Sequence, residues 1–151
     1  KNLGFSIYGK KEFDLIKKIK TINSIQAPVN FVNQDFAELK NKKINLHARS
    51  IFLQGLLINK KINYLNLSKK MRVAHRKYFS FLKKHKINGL KFCMQYINSV
   101  KKCDYYIFGV NSVKQLSDII DYKNSKNINL KHLKEARNFF NPKIADPRLW
   151  S

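Results

Sequence analysis

Cysteine is scarce in this chain, arginine is scarcer than the charge suggests, and no long hydrophobic run occurs. Each absence narrows what the protein can be. The two cysteines, Cys93 and Cys103, form no Cys-x-x-Cys and have no histidine pair at ligand spacing beside them, so neither a metal site nor a disulfide framework is expected. Cys93 stands in Leu90-Lys91-Phe92-Cys93-Met94-Gln95-Tyr96 and reads as a small core residue. A reducing compartment, the cytoplasm, suits such usage. No apolar stretch approaches the roughly 18 residues that a membrane-spanning helix requires. Lys10 and Lys11 lead into an amphipathic pattern rather than the apolar core of a signal peptide. No membrane partner is expected. The chain opens on Lys1 rather than Met, as a processed product or a fragment would.

The charge is lopsided, with 31 Lys and Arg against 9 Asp and Glu and a formal net charge of +22. Such a balance invites a polyanion partner, whether nucleic acid or an acidic membrane surface. The cations are overwhelmingly lysine, however, with arginine only at Arg49, Arg72, Arg76, Arg137 and Arg148. Arginine is the usual bidentate reader of phosphate and guanine. Lysine, asparagine and isoleucine are abundant together, which is the set that A/T-rich codons encode. Codon bias thus accounts for the charge, and a nucleic-acid partner is not expected. A basic nucleic-acid or polyanion-binding module stands as the alternative function, and it would show affinity that falls steeply with salt.

A length of 151 residues suits one domain with a real core, but a complete (β/α)8 barrel needs about 250. Leu3-Gly4-Phe5-Ser6-Ile7-Tyr8 is a β-type run closed by Gly9. Phe13, Ile16, Ile19 and Ile22 then recur at three-residue spacing, which predicts an amphipathic helix beginning at Glu12 and running to Lys20. Ser24 to Asn30 is strand-like, with pairing expected to end near Pro28. Asp35 would cap a helix over Phe36 to Lys42, and Ile44 to Phe52 is the next strand. Strand starts about twenty residues apart fit minimal βα units with short loops. Residues 58 to 88 carry a connector and one helix containing Met71, Ala74, Tyr78 and Leu82. Gly89 interrupts, and Leu90 to Ile97 predicts a second helix. Tyr105 to Phe108 is a fourth strand, Val113 to Asp121 a helix, 123–129 a loop, Leu130 to Phe140 a terminal helix, and 141–151 an extended tail. Four strands with intervening helices imply an α/β fold, a parallel sheet packed by helices. An isolated sheet of this kind leaves two open edges. The plain reading is a small three-layer domain, and the sharper one is half of a barrel.

Five segments, in this order, carry a resemblance. They are Leu3-Gly4-Phe5-Ser6, Ile25-Gln26-Ala27-Pro28-Val29-Asn30, Ala48-Arg49-Ser50-Ile51-Phe52-Leu53-Gln54-Gly55-Leu56-Leu57, Phe108-Gly109-Val110-Asn111-Ser112 and Asp146-Pro147-Arg148-Leu149-Trp150. Together they resemble the C-terminal half of the aldo/keto reductases, and the last resembles the ending of a bacterial branch of that family. The resemblance spans residues 1–151 as one unit. It implies strands five to eight of a (β/α)8 TIM barrel. It also implies an oxidoreductase whose cofactor is NADP, or NAD, and whose reduced cofactor, NADPH or NADH, gives a hydride to a small carbonyl substrate, an aldehyde or ketone. The cofactor would lie across the C-terminal strand ends, where barrel enzymes keep their active sites.

Residue by residue, the resemblance gives Ser6 and Gln26 to the nicotinamide carboxamide. The family usually has asparagine where Ile7 stands, which removes half of the first contact. Arg49 occupies the place of a tyrosine that stacks on the nicotinamide; a guanidinium plane can stack as well. Ser50, Phe52, Leu53, Gln54 and Gly55 match the loop over the pyrophosphate. Gly109, Asn111 and Ser112 lie in the turn before the last barrel helix, where free N–H groups and the helix dipole favour phosphate. Gln115 stands where many members carry an arginine for the adenosine 2′-phosphate, and Lys114 is the one cation nearby. No catalytic residue matches within the chain. The family's general-acid Tyr, with its Lys, Asp and His, would lie upstream of Lys1, so the missing N-terminal half of the barrel is the implied partner. Tyr8 reads as packing or a pocket wall.

The histidines are read plainly. His47, in a strand, is expected to pack; His75 and His85, among lysines, are expected to be solvated; His132 has no partner in sight. The run Lys83-Lys84-His85-Lys86 reads as a solvated helix end. Phe139, Phe140 and Trp150 are expected to fold back onto the core.

Overall fold

The computed structural model describes residues 2–150 apart from 38, 40–42, 63–66, 102, 126 and 143–145. Its elements are β1 (Leu3–Ser6), α1 (Lys10–Ile16), β2 (Ile22–Pro28), β3 (Asn45–Arg49), α2 (Lys69–Lys84), α3 (Gly89–Ser99), β4 (Tyr105–Tyr106), α4 (Val113–Tyr122) and α5 (Leu130–Asn138), followed by a 3-10 turn at Pro147–Leu149. The four strands form one sheet in the order β1-β2-β3-β4, and every neighbouring pair is parallel. Parallel neighbours point the same way, so all four strands deliver their following loops to one end of the sheet.

Alternation along the strands sorts the two faces. Ile25, Ala27, Leu46 and Ala48 are buried on one face, with Ile25 beside Leu46 and Ala27 beside Ala48. Helices cover that face, and Met71, Tyr78, Leu82, Phe92, Met94 and Ile97 complete the core. The opposite face carries a polar row. Ser6 pairs with Gln26, Gln26 with His47, and His47 with Tyr105. Polar side chains cap the helices as their chemistry favours: Ser68 accepts from Met71 N–H, Asn88 from Lys91, Ser112 from Gln115 and Asn129 from His132.

Several boundaries differ from the sequence expectation. β2 begins at Ile22, two residues early, and α1 runs from Lys10 to Ile16 rather than from Glu12 to Lys20. β3 stops at Arg49, because Ser50 turns to a φ of 55° and leaves the sheet. β4 is only Tyr105–Tyr106. After Asp35 the described residues form a turn, not a helix; residues 38 and 40–42 of that expected helix lie outside the description. Just upstream, Asn30 Oδ1 takes the N–H groups of Val32 and Asn33, and Asn33 Oδ1 takes that of Asp35, local side-chain bonds that favour a turn there. In the tail, Asp146 receives Arg148 N–H at 3.0 Å and starts the 3-10 turn where extended chain was expected. Phe140 is buried, and Phe139 and Trp150 pack against the core.

Candidate functional site

The strand tips carry the candidate residues, and they sort into two adjoining groups. At the β1–β2 side, Ser6 and Gln26 are register neighbours, and Ile7 N–H donates to the Gln26 carbonyl at 2.9 Å. Arg49 reaches toward them from β3. Its guanidinium donates to the Ile7 carbonyl at 3.3 Å and to Ser50 Oγ at 3.2 Å, and it lies 4.2 Å over the Tyr8 ring. Arg148 covers the same ring at 3.7 Å. Glu12 closes this cluster. Its carboxylate accepts the N–H groups of Tyr8 and Gly9 and sits 3.7 Å from Arg148, and those backbone bonds lower its pKa. Asp146 is lowered in turn, chiefly by its hydrogen bond with Arg148. Tyr8 is thus packed against two guanidiniums.

The second group surrounds a cleft of about 640 Å³ at the tips of β3 and β4. One wall is the loop after β3, with Ser50, Phe52, Gln54 and Gly55; another is the tip of β4 and the start of α4, with Gly109, Asn111 and Gln115. Seven of the sequence-predicted residues therefore share one cavity. Ser6, Gln26 and Arg49 stand beside it on neighbouring strand ends and do not line it. Leu53 is fully buried beneath the loop, and Ser112 serves as the cap of α4, its Oγ 3.2 Å from Gln115 N.

The loop's backbone is unusual. Ser50, Leu53 and Gln54 have φ near 50°, and Gly55 has φ 82°. Leu53, Gln54 and Gly55 are thus three left-handed residues in succession, a tight turn at the cleft wall. Leu53, Leu56, Leu57 and Ile58 donate within the loop to Ser50, Leu53, Phe52 and Gly55. The N–H groups of Phe52, Gln54 and Gly55, all residues of the cleft wall, donate to no acceptor among the described residues. N–H groups without an acceptor are donors that a phosphate oxygen would accept from. Phe52 and Phe108 stack at 5.3 Å beside them. At the opposite wall the expected free N–H groups are partly taken, since Asn111 N–H donates to Gln115 Oε1 at 2.8 Å.

Sequence reasoning missed Asn59, Asn88 and Asp118, which also line the cleft. Asp118 follows Gln115 by one helical turn, so its place beside it was available from spacing alone. The histidines also depart from expectation. His75 is 1% exposed, within 3.0 Å of the Asn59 carbonyl, and desolvation lowers its pKa. His85 is half-buried and His132 is not alone: their rings lie 4.5 Å apart, both against Phe81. His47 packs on Tyr105 at 4.6 Å. Among the described residues no cluster of three or more His, Cys, Asp or Glu could hold a metal ion.

No protein-family model matches the chain, and no curated protein does. Solved structures do share its fold. Aldo-keto reductase AKR11C1 from Bacillus halodurans, in its holo form, superposes with a TM-score of 0.69 at 11% identity, over 92% of this chain and 50% of its own. The glycerol dehydrogenase AKR11B4 from Gluconobacter oxydans gives a TM-score of 0.64 at 15% identity, over 97% and 50%. MGS-M4, an aldo-keto reductase from a Medee basin deep-sea metagenome library, gives 0.55 at 14% identity, over 90% and 46%. The chain spans about half the length of each. Its fold is half of an aldo-keto reductase (β/α)8 barrel.

Proposed function

We propose that this chain is the C-terminal half of an NAD(P)H-dependent aldo/keto reductase and supplies the strand ends that bind its cofactor. The observation that carries the reading is the left-handed Ser50–Gly55 loop, whose unpaired N–H groups border a cleft in a fold that is half of such a barrel. The dinucleotide supplies the hydride for an aldehyde or ketone. The residues of this chain hold it: Phe52, Gln54 and Gly55 through backbone N–H groups, Ser50 and Asn111 through side chains at the cleft wall, and Ser6 and Gln26 at the carboxamide end. Arg49 is already braced by Ile7, Ser50 and Tyr8, so it fixes the wall between the two groups.

The proton donor is a separate matter. Hydride transfer to a carbonyl needs an acid within hydrogen-bond reach of the oxygen, and Tyr8, packed against Arg49 and Arg148, is not placed for that role. The acid and its partners belong to the complementary half of the barrel. That half would also pair with the open edges at β1 and β4, where Leu3, Tyr105 and Tyr106 are exposed. The buried Cys93 thiol, its pKa pushed up by desolvation, is inert, consistent with a reducing cytoplasm. No helix among the described residues is long and apolar enough to cross a membrane. The polyanion alternative gains nothing from the cleft, whose lining among the described residues holds no lysine or arginine.

Fluorescence titration of the full-length protein with NADH and NADPH tests the reading. Saturable binding of either, abolished by crowding the loop at Gly55, is expected. Sequence upstream of Lys1 should encode an Asp, a Tyr, a Lys and a His on successive βα units. Binding of neither dinucleotide would overturn the proposal.

A further inference from the structure

We infer that the cleft selects against a phosphate on the adenosine 2′ position and takes NAD(H), with Asp118 as the specificity-determining residue; this rests on the dinucleotide reading above. The first observation is a missing charge. Of 151 residues, 31 are Lys or Arg, yet among the described residues those lining the cleft include neither, nor a histidine. A phosphate monoester carries close to two negative charges at neutral pH, and sites that accept one at this position answer it with a cation.

The second observation is a charge of the wrong sign for such a group. Asp118 lines the cleft, one turn along α4 from Gln115. The one ion pair it makes among the described residues is with Lys114 at 3.5 Å, and Lys114 is itself 85% exposed and outside the lining. Lys114 would have to leave that carboxylate to reach a ligand. The third observation concerns Gln115. Its Oε1 is held by Asn111 N–H, which leaves its amide NH2 as a donor. An acceptor at Asp118 and a donor at Gln115 suit a ribose hydroxyl, which both donates and accepts. Against a 2′-phosphate the Asp118 carboxylate would set like charges together. The chain's overall positive charge does not reverse this, because screening confines exposed charges to about 8 Å at physiological salt.

With phosphates on the Phe52–Gly55 N–H groups, the inference places the adenosine ribose, one phosphoester link away, against α4, another wall of the same cleft. Titration of the full-length protein with NADH and with NADPH, by fluorescence, tests the assignment. NADH is expected to bind at least about tenfold more tightly, equivalent to about 1.4 kcal/mol. Asp118→Asn should narrow that ratio several-fold and Asp118→Lys should invert it, with far-UV circular dichroism unchanged. Asp118→Ser serves as a second neutral variant should the lysine disturb α4. Equal or tighter binding of NADPH by the unmodified protein, or an unchanged ratio in the neutral variants, would overturn the role of Asp118 while leaving the dinucleotide reading intact. Binding of neither nucleotide would overturn both.

Discussion

The side chain of Asn30 donates to the backbone carbonyl of Ser50 across 3.1 Å, tying the end of β2 to the first left-handed residue of the cleft loop. Asn30 is 1% exposed, and its Oδ1 simultaneously accepts from Val32 and Asn33. One buried amide therefore shapes two loops at the sheet's functional end.

Removing it should be felt in both. Asn30→Ala leaves buried polar groups unpaired, each costing about 1–3 kcal/mol, so a loss of about 2 kcal/mol or more is expected in urea unfolding. Asn30→Asp keeps the acceptor but sets an oxygen against the Ser50 carbonyl, and should be no better tolerated. Either variant should weaken dinucleotide binding further than its stability loss explains. Wild-type stability in both would show that the bond is not needed.

Gly55 is the one loop residue whose conformation calls for glycine. At φ 82° a side chain is strained, and a Cβ would stand 2.7 Å from Asn59 Nδ2. Gly55→Ala should destabilise by about 1–2 kcal/mol and weaken cofactor binding. Gly55→Ala with Asn59→Ser relieves the clash but not the backbone strain, so it should recover stability only in part. Thermal unfolding of the single and double variants checks the split.

Much of the architecture was legible because it rests on periodicity. Alternation in Ser24–Asn30 and Ile44–Arg49, with helical spacing in Met71, Ala74, Tyr78 and Leu82, reads directly as strands and a helix. What was not legible comes from side chains that bond their own backbone. Asn30 and Asn33 shape the turn leading to Asp35, and no periodicity reports such bonding. The resemblance implies a phosphate loop at Ser50, Phe52, Leu53, Gln54 and Gly55, but only Gly55 announces a left-handed turn; Ser50, Leu53 and Gln54 adopt one without glycine. His75 is different. It lies four residues from Met71 and three from Tyr78, hence on the buried face of α2, and the neighbouring Arg76 and Lys77 drew attention from that spacing. The contact between His85 and His132 joins two helices and could not be read from either.

His75 gives the protein a pH dependence with a definite sign. Burial lowers its pKa below the ordinary 6.5, with desolvation outweighing the carbonyls of Asn59 and Leu56. The unfolded chain then binds the proton more readily than the folded one, so stability falls as pH drops below 6.5 and levels off below the folded pKa. Glu12 and Asp146, both lowered, act in a separate window: their contribution is lost only as pH falls below their ordinary values of 4.5 and 3.8. His75→Gln should flatten the unfolding midpoint between pH 7 and 5 and leave the more acidic loss in place. A midpoint that falls just as steeply in the variant would rule His75 out.

The outer face of α4 tests whether a second half of the barrel closes on this one. Val113, Leu116 and Ile120 recur at helical spacing and are 86%, 46% and 51% exposed, while Ile119 at the edge of that stripe is buried. Surface changes away from packed features shift stability by about 0.5 kcal/mol or less, so Leu116→Gln and Ile120→Gln should be nearly silent in this chain alone. In the full-length protein the same side chains would be covered, and burial of each is worth about 1.5–3 kcal/mol. Unfolding of both forms side by side measures the difference. A loss of that size only in the longer protein identifies α4 as a seam between halves; equally small effects in both would mean that the complementary half does not sit there.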